Sequence, residues 1–144
     1  MKIKTKKLHK DALIPVYSTE SAAGADLFCL CEEDITIAPF NTVFVKTGIS
    51  IEIPQGYMGL IYARSGLACK NGLAPANKVG VIDSDYRGEI TVALYNHSDT
   101  GQTVVNGQRI AQLVITPVLK AHFETAENLS HTKRGGGGFG SSGT

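Results

Sequence analysis

Residues 41–54 read NTVFVKTGISIEIP, and this stretch indicates the fold more clearly than any other part of the chain. Apolar and β-branched residues occupy every second position on both sides of Gly48: Val43, Val45, Thr47, Ile49, Ile51 and Ile53. A period of two is typical of β-strands with one buried face. The stretch therefore predicts half-buried strand structure that is interrupted at a glycine.

The same period recurs further along the chain. In GEITVALYN, residues 88–96, one face carries Ile90, Val92 and Leu94 and the other carries Thr91, Ala93 and Tyr95. RIAQLVITPVLKAHF, residues 109–123, alternates at Ala111, Leu113 and Ile115 and again at Leu119, Ala121 and Phe123. At the start of the chain, KIKTKKLHK, residues 2–10, predicts an edge strand with a solvated, charged side.

Turn-forming residues separate these segments, for example at 54–56, 71–72, 98–101 and 106–107. Many short strands at this spacing predict an all-β fold, a jelly-roll-like sandwich or barrel.

One stretch departs from the period of two. ARSGLACKNGL, residues 63–73, allows a helix of one or two turns, with Ser65 as N-cap and Asn71-Gly72 as the stop. A helix start is a natural anion site, and Arg64, Ser65 and Gly66 lie there. A plain connector remains the alternative interpretation of this segment alone.

Composition restricts the function classes. The 144 residues include 14 Lys and Arg and 13 Asp and Glu, giving a net charge of +1, so a broad basic face for nucleic acid is not expected. The sequence predicts neither a membrane span nor a signal peptide. Three cysteines and four dispersed histidines predict neither a disulfide framework nor a metal cage. The cysteines are interpreted as small apolar residues of a cytosolic protein.

GVIDSDYRGEI, residues 80–90, contains candidate chemistry. Asp83 follows the apolar pair Val81-Ile82. At this position a carboxylate can be held rigidly and partly shielded from water, which suits a general base. Tyr86 can lay its ring against a sugar or a base. Taken alone, residues 85–88 are also explained by a simple hairpin turn.

The last eleven residues, RGGGGFGSSGT at 134–144, allow several interpretations. They fit a flexible tail or a cloning scar, a G-x-G-x-x-G nucleotide fingerprint, or a flap that orders over a ligand. The fingerprint requires a following helix, for which the four residues after Gly140 are too few.

Read together, five segments in this order resemble the five motifs of the trimeric deoxyuridine triphosphatases, the dUTPases. They are residues 24–27 (GADL), 64–68 (RSGLA), 80–88 (GVIDSDYRG), 107–112 (GQRIAQ) and 134–141 (RGGGGFGS). Small departures are Ala63 where proline is frequent, Gln108 where an acid is common and Ser142 where threonine is usual. None removes a group with a clear chemical role.

The resemblance implies a jelly-roll-like subunit, here residues 1–130, followed by a C-terminal flap, residues 131–144. It implies a homotrimer whose three active sites lie at subunit interfaces, each built from three chains. Uracil would enter a β-hairpin around residues 77–91, near Asn77, Val81, Ile82 and Thr91. Tyr86 would lie under deoxyribose and exclude a 2′-hydroxyl.

The resemblance also implies roles for the remaining residues. Arg64, Ser65, Gly66 and Gln112 would hold the phosphates, and Asp83 would activate water for attack on the α-phosphorus. Mg²⁺ would be held by the triphosphate and water, with no direct protein ligand. Asp26 would order water or a neighbouring arginine, or alternatively cap a turn after Gly24. The tail would supply the remaining contacts, from Arg134, Phe139, Gly140, Ser141 and Ser142.

The expected reaction is hydrolysis of dUTP to dUMP and pyrophosphate, which limits uracil incorporation into DNA and supplies dUMP for thymidylate synthesis. Two rivals are a deoxycytidine triphosphate deaminase, which would carry a glutamate for water activation, and a nucleotide-dependent binding module without turnover. A cytoplasmic location is expected, with a nuclear or viral context left open. Neither stable nucleic-acid binding nor membrane association is expected.

Overall fold

A computed structural model describes residues 1–139, and these form twelve short β-strands and one α-helix. The elements are β1 (Lys4–Lys7), β2 (Val16–Tyr17), β3 (Ala25–Phe28), β4 (Ile35–Ile37), β5 (Thr42–Lys46), β6 (Ile49–Glu52), β7 (Tyr57–Tyr62), α1 (Ser65–Asn71), β8 (Leu73–Pro75), β9 (Gly80–Ile82), β10 (Thr91–Asn96), β11 (Gln102–Val104) and β12 (Arg109–Pro117). The predicted all-β, jelly-roll-like class is confirmed.

The strands form antiparallel sheets of two, three and five strands. The largest has the order β2-β3-β12-β7-β9, and the three-stranded sheet has the order β5-β10-β8. The remaining ladders are β1-β6 and β4-β11, so the predicted N-terminal strand pairs with the second half of the stretch at 41–54. Strand β9 lies at one edge of the five-stranded sheet, which matters for the site described below.

The predicted alternation defines the core. In β10 and the residue before it, Ile90, Val92 and Leu94 are at most 1% exposed. The stretch at 41–54 breaks at Gly48, whose φ of 69° suits glycine and whose added Cβ would lie 2.4 Å from Leu30 Cδ2. Thr47 points inward as predicted, and its buried hydroxyl donates to the carbonyl of Ile90. The hydrogen bond offsets the cost of burying that hydroxyl.

The predicted helix is present, with a corrected start. Helix α1 ends at Gly72 in the left-handed conformation, and the Gly72 N–H donates to the carbonyls of Ala68 and Leu67. Ser65 is not the N-cap: Arg64 occupies that position with extended backbone and no side-chain capping bond. The single buried side chain of the helix, Leu67, fixes it to the core.

The segment after β12 departs from the prediction. Alternation suggested further strand structure at Leu119, Ala121 and Phe123, but residues 118–139 contain no strand, and Leu119 and Phe123 are 97% and 92% exposed. The prediction was wrong because alternation gives a strand only where a neighbouring strand is available. Within residues 1–139, no helix is long and apolar enough to cross a membrane.

Candidate active site

A cleft of about 270 Å³ opens between β9 and β10. We call it the β9–β10 cleft, and it gathers most of the predicted nucleoside-binding residues. Its lining includes Asn77, Val81, Ile82, Asp83, Tyr86 and Thr91, together with Phe44, Ile61, Gly80, Glu89 and Ile90.

The expected β-hairpin at residues 77–91 is not formed. Strand β9 pairs with β7, whereas β10 pairs with β5 and β8. The two strands that flank residues 83–90 therefore belong to different sheets. Their separation creates the cleft, because a closed hairpin would fill this space with its own ladder of hydrogen bonds.

The facing edges of the cleft have backbone groups available for a ligand. Because β9 is an edge strand, alternate residues direct N–H and C=O groups away from β7. On the opposite side, Thr91 is paired with Lys46 of β5, while the ladder to β8 extends only over Leu94–Asn96. Such an arrangement can recognise a planar group through its hydrogen-bonding edge.

Asn77 lies in the turn before β9 with an exposed side chain. A Cβ added at Gly80 would lie 3.0 Å from Asn77 Nδ2, so glycine at position 80 leaves room for the amide over the strand. The structure records no hydrogen bond from this amide to the rest of residues 1–139. Its donor and acceptor are free for a ligand.

The ring of Tyr86 is held by two contacts within its own loop. Its hydroxyl donates to the carbonyl of Glu89 over 3.0 Å. A Cβ added at Gly88 would lie only 2.4 Å from Tyr86 Oη and 2.6 Å from Cζ, so the ring packs directly on that glycine. Position 88 therefore determines where the ring lies.

Asp83 directly follows β9, as predicted, and its carbonyl accepts the Tyr86 N–H over 3.2 Å. Its side chain is exposed in the single chain, so the carboxylate is not partly shielded from water there, contrary to the prediction. Exclusion of water from this carboxylate requires bound substrate or a second chain.

A second group of predicted residues surrounds Asp26, which is 6% exposed within β3. Its carboxylate accepts from Arg64 Nε at 2.7 Å, from Ser18 Oγ at 2.8 Å and from Arg109 Nη1 at 3.2 Å. We call these four residues the arginine cluster. Asp26 is therefore a partner of arginines and not a turn cap.

Two members of the arginine cluster were not predicted as site residues. Arg109 lies within the GQRIAQ motif, and its charge beside a strand start was a usable signal. Ser18 lies in a stretch with no distinguishing pattern, so only the pairing of β2 with β3 reveals its position.

Gln112 lies on β12 between Asp26 of β3 and Tyr62 of β7 in the sheet register. Its Nε2 donates to the carbonyl of Ala63 over 2.9 Å, which braces the chain immediately before Arg64. A Cβ at Gly24 would lie 2.6 Å from Gln112 Oε1, so the glycine of the first motif makes room for this amide.

Ser65 and Gly66 are exposed at the start of α1. The first N–H groups of a helix have no partner within the helix, and a Cβ added at Gly66 would meet nothing within 4 Å. Together with the guanidinium of Arg64, these groups form an open cationic surface for an anion.

The structure does not bring the two groups together within one chain. Ile82 of β9 is opposite Gly59 of β7, so Asp83 is level with the start of β7, whereas Arg64 follows its end. The six steps along the chain from Met58 to Arg64 correspond to about 20 Å of extended chain. Asp83 and Arg64 thus lie at opposite ends of the same strand pair.

Of the C-terminal candidates, the structure describes Arg134 and Phe139. Arg134 is exposed, and its Nε donates to the carbonyl of Gly137 over 2.8 Å. The ring of Phe139 is fully exposed. Gly140, Ser141 and Ser142 lie outside the described residues. Within residues 1–139, no group of three or more His, Cys, Asp or Glu side chains is arranged to hold a metal ion.

Comparison with known proteins identifies the same family that the five sequence motifs resemble. A family model described as dUTPase matches residues 10–143. The chain is 52% identical over 143 residues to the deoxyuridine 5′-triphosphate nucleotidohydrolase of Hydrogenobaculum sp. (strain Y04AAS1), covering 99% of each chain.

Solved structures agree in fold. The dUTPase of Staphylococcus bacteriophage 80alpha with dUpNHpp superimposes with a TM-score of 0.90 at 29% identity, covering 99% of each chain. A mutant dUTPase of phage phi11 of S. aureus, described with a structural Mg(II) ion, gives a TM-score of 0.78 at 25% identity over 89% of this chain and 98% of that one.

Proposed function

The chain belongs to the dUTPase family and hydrolyses dUTP to dUMP and pyrophosphate, and we propose that the β9–β10 cleft binds the uracil nucleoside. The observation that carries this proposal is the separation of β9 from β10 into two sheets. The separation leaves edge-strand backbone groups facing a space lined by Asn77 and Tyr86.

Backbone groups near Val81, Ile82 and Thr91, with the Asn77 amide, take the place of a pairing base. Cytosine carries an amino donor where uracil carries O4. A fixed donor in the cleft therefore leaves a clash or an unmet hydrogen bond with cytosine, and buried unmet bonds discriminate strongly. The methyl group of thymine is excluded by the walls of the cleft.

Tyr86 selects deoxyribose by bulk. The ring is fixed on Gly88 and by its bond to Glu89, so it cannot move aside without breaking that bond. A 2′-hydroxyl would have to occupy the space of the ring beneath the sugar.

Asp83 is the general base. Its carboxylate takes a proton from a water molecule, whose oxygen attacks the α-phosphorus as the bond from that phosphorus to the pyrophosphate oxygen breaks. A positioned base of this kind contributes roughly 10²–10⁴-fold to the rate. Bound substrate also displaces water around Asp83 and so desolvates the carboxylate, which is exposed to water in the single chain.

Arg64, Ser65 and Gly66 bind the phosphates and stabilise the negative charge that develops on departing pyrophosphate. Asp26 fixes the direction of Arg64 through its Nε, and Arg64 Nη1 donates to the carbonyl of Arg109 over 3.4 Å. Nη2 is the guanidinium nitrogen that contacts phosphate. Gln112 contributes through its bond to Ala63, which positions the same loop, and through the remaining polar groups of its amide.

The distance between Asp83 and Arg64 supports active sites shared between subunits. About 20 Å of strand separates them, and one triphosphate must be reached by both. We propose a homotrimer in which Asp83 and Tyr86 of one chain face Arg64 and Gln112 of the next. A closed ring gives every site the same composition.

The tail from residue 131 completes each site as a flap from the third chain. The fully exposed ring of Phe139 stacks on uracil, and Arg134, Gly140, Ser141 and Ser142 contact phosphate. The exposed Leu119 and Phe123 support this role, since apolar side chains without cover in one chain fit a segment that packs on another.

Mg²⁺ would be held by the phosphates of the substrate and by water. The described residues form no carboxylate cage, and Mg²⁺ commonly keeps several waters and binds through substrate phosphates. When bound there, it neutralises charge on the triphosphate. The protein's own contribution is the set of cations and N–H groups around Arg64.

In the cell, we propose that the reaction limits uracil incorporation into DNA and supplies dUMP for thymidylate synthesis. We place it in the cytoplasm, because the three cysteines are free thiols, which fits a reducing compartment. The net charge of +1 gives no support for stable nucleic-acid binding.

Product analysis in ¹⁸O-labelled water tests the reaction. Purified protein is incubated with dUTP, dCTP, dTTP or UTP, with and without Mg²⁺. We expect turnover of dUTP alone, with the label in dUMP. Label in pyrophosphate would place the attack on the β-phosphorus, and ammonia released from dCTP would indicate a deaminase.

A further inference from the structure

Two of the three cysteines lie together at the end of β3, outside the hydrolytic site. Cys29 Sγ is 3.5 Å from Cys31 Sγ and donates a hydrogen bond to it. Cys29 belongs to the core and is 2% exposed. Cys31 is half-buried and lines a surface cleft of about 390 Å³ together with His9 and Lys46.

Both cysteines are anchored by the turn that precedes β12. The Cys29 N–H donates to the carbonyl of Gln108 over 2.8 Å, and its own carbonyl accepts from the Gly107 N–H over 2.9 Å. The Cys31 N–H donates to Asn106 Oδ1 over 3.2 Å. The two sulfurs are therefore held side by side by the backbone.

The two thiols differ in their surroundings. Burial raises the pKa of Cys29 to about 12, and its hydrogen bond to Cys31 adds to the shift. Cys29 thus stays protonated at neutral pH. Cys31 is the sulfur that a small molecule can reach through the cleft.

We propose that Cys29 and Cys31 form a peroxide-reactive dithiol that closes into a reversible intrachain disulfide. In the first step, the Cys31 thiol gives up its proton to solvent and its sulfur attacks one oxygen of a hydroperoxide. The O–O bond breaks, Cys31 becomes a sulfenic acid, and the departing hydroxide or alkoxide takes up a proton from solvent and leaves as water or an alcohol. In the second step, Cys29 sulfur attacks the Cys31 sulfur, the S–O bond breaks, and the Cys29 proton leaves with hydroxide as water. The peroxide is reduced and the two thiols are oxidised.

The geometry permits a disulfide bond, but the distance between the two Cα atoms is near the upper limit for disulfides. An S–S bond is about 2.05 Å long, so the sulfurs must approach by about 1.5 Å. Residues two apart in extended chain have Cα atoms about 6.6 Å apart, close to the upper end of the range for disulfides, about 6.8 Å. A disulfide near that limit is readily reduced, so the reaction is reversible by cellular thiols.

The third cysteine provides an internal control. Cys69 is exposed on α1 and has no second sulfur recorded beside it in the described chain, so it can be oxidised but has no neighbour with which to close a disulfide. Both classes of thiol are thus present in the same molecule and see the same dose of peroxide.

Intact-mass spectrometry of the full-length protein tests the proposal. The reduced protein is treated with hydrogen peroxide, unfolded in guanidinium chloride so that buried thiols become accessible, alkylated with iodoacetamide and digested for mapping. We expect a loss equal to two hydrogen atoms, a decrease in free thiols from three to one, and alkylation only at Cys69. Dithiothreitol should restore all three.

Variants distinguish the two steps. In Cys29→Ala, we expect Cys31 to gain one oxygen atom and to react with dimedone, because no second sulfur is available. Cys69→Ser should still lose two hydrogen atoms. Full alkylation of Cys29 and Cys31 in peroxide-treated wild-type protein would overturn the proposal, as would a stable oxygen adduct on wild-type Cys31.

Discussion

Arg64 Nε lies 2.7 Å from Asp26 Oδ1, although Asp26 belongs to β3 and Arg64 follows β7, and β12 lies between these two strands in the sheet. The contact joins the first and second motifs of the sequence, and Arg64 Nη1 also donates to the carbonyl of Arg109 over 3.4 Å. We therefore propose that Asp26 acts on phosphate binding through Arg64, as a positioning residue.

We expect Asp26→Asn to raise KM for dUTP more than it lowers kcat. The amide keeps the shape of the side chain but loses the charge that orients two arginines. It should also lower the free energy of unfolding by about 1.5–3 kcal/mol, the usual contribution of a hydrogen bond to a charged group.

Steady-state kinetics and urea denaturation measure the two effects. Asp34→Asn, an exposed carboxylate on the neighbouring loop, is the matched control and should leave both unchanged. Unchanged KM in Asp26→Asn would show that Arg64 needs no such partner.

We expect Asp83→Asn to bind dUTP normally and to hydrolyse it roughly 10²–10⁴-fold more slowly, because the amide cannot accept the proton of the attacking water. Calorimetric titration with a non-hydrolysable dUTP analogue gives the affinity, and product release gives kcat.

Asp85→Asn is the control for Asp83→Asn, since this exposed carboxylate lies two residues away in the same loop. It should retain nearly normal turnover. If Asp83→Asn turns over dUTP as fast as Asp85→Asn does, the general base lies elsewhere.

The packing of Tyr86 on Gly88 gives a prediction about sugar selectivity. A methyl group at position 88 would lie 2.4 Å from Tyr86 Oη, so Gly88→Ala must displace the ring. We expect Gly88→Ala and Tyr86→Ala both to raise the activity on UTP relative to dUTP.

The ratio of kcat/KM values for the two nucleotides is the measurement. Gly101→Ala is the control, because its Cβ would meet only Thr36 Cγ2 at an ordinary 3.6 Å. If Gly88→Ala retains the wild-type ratio while Tyr86→Ala loses it, the ring is not held by the glycine.

The sequence predicted the strands whose burial follows from alternation within one chain. Ile90, Val92 and Leu94 are buried as expected because β10 lies between β5 and β8. The same alternation failed at Leu119 and Phe123, since among residues 1–139 no strand pairs with the segment that holds them. Alternation indicates a face that can be buried, and the sheet order decides whether it is.

In the candidate site, too, the sequence predicted some features and missed others. The stop of α1 at Gly72 could be predicted because it depends on one residue's backbone freedom. The open β9–β10 cleft could not, because a turn between two apolar runs is compatible with a closed hairpin. The role of Asp26 also required the fold, since Arg64 and Arg109 are 38 and 83 residues away along the chain.

The positions of Asp83 and Arg64 at opposite ends of the β7–β9 pair give the last prediction. If each site takes Asp83 from one chain and Arg64 from its neighbour, Asp83→Asn and Arg64→Ala should be nearly inactive alone and should complement each other when mixed. After unfolding and refolding at equal amounts, a site is intact when its first chain carries the Arg64 change and its second carries the Asp83 change. Random assembly in a closed ring makes this about one quarter of the sites, so the mixture should recover about that fraction of wild-type activity.

The control mixture combines Asp83→Asn with Tyr86→Ala. Both residues line the same chain's β9–β10 cleft, so every site in a mixed oligomer inherits one defect or the other. Its activity should not exceed the weighted mean of the two parents, measured at the same total concentration. Native mass spectrometry establishes that mixed oligomers have formed in both experiments. Mixed oligomers of Asp83→Asn and Arg64→Ala whose activity stays at the mean of the two parent variants would contradict the proposal. The two residues would then not act on one substrate from neighbouring chains. The separation of about 20 Å would have to be closed by movement within a single subunit.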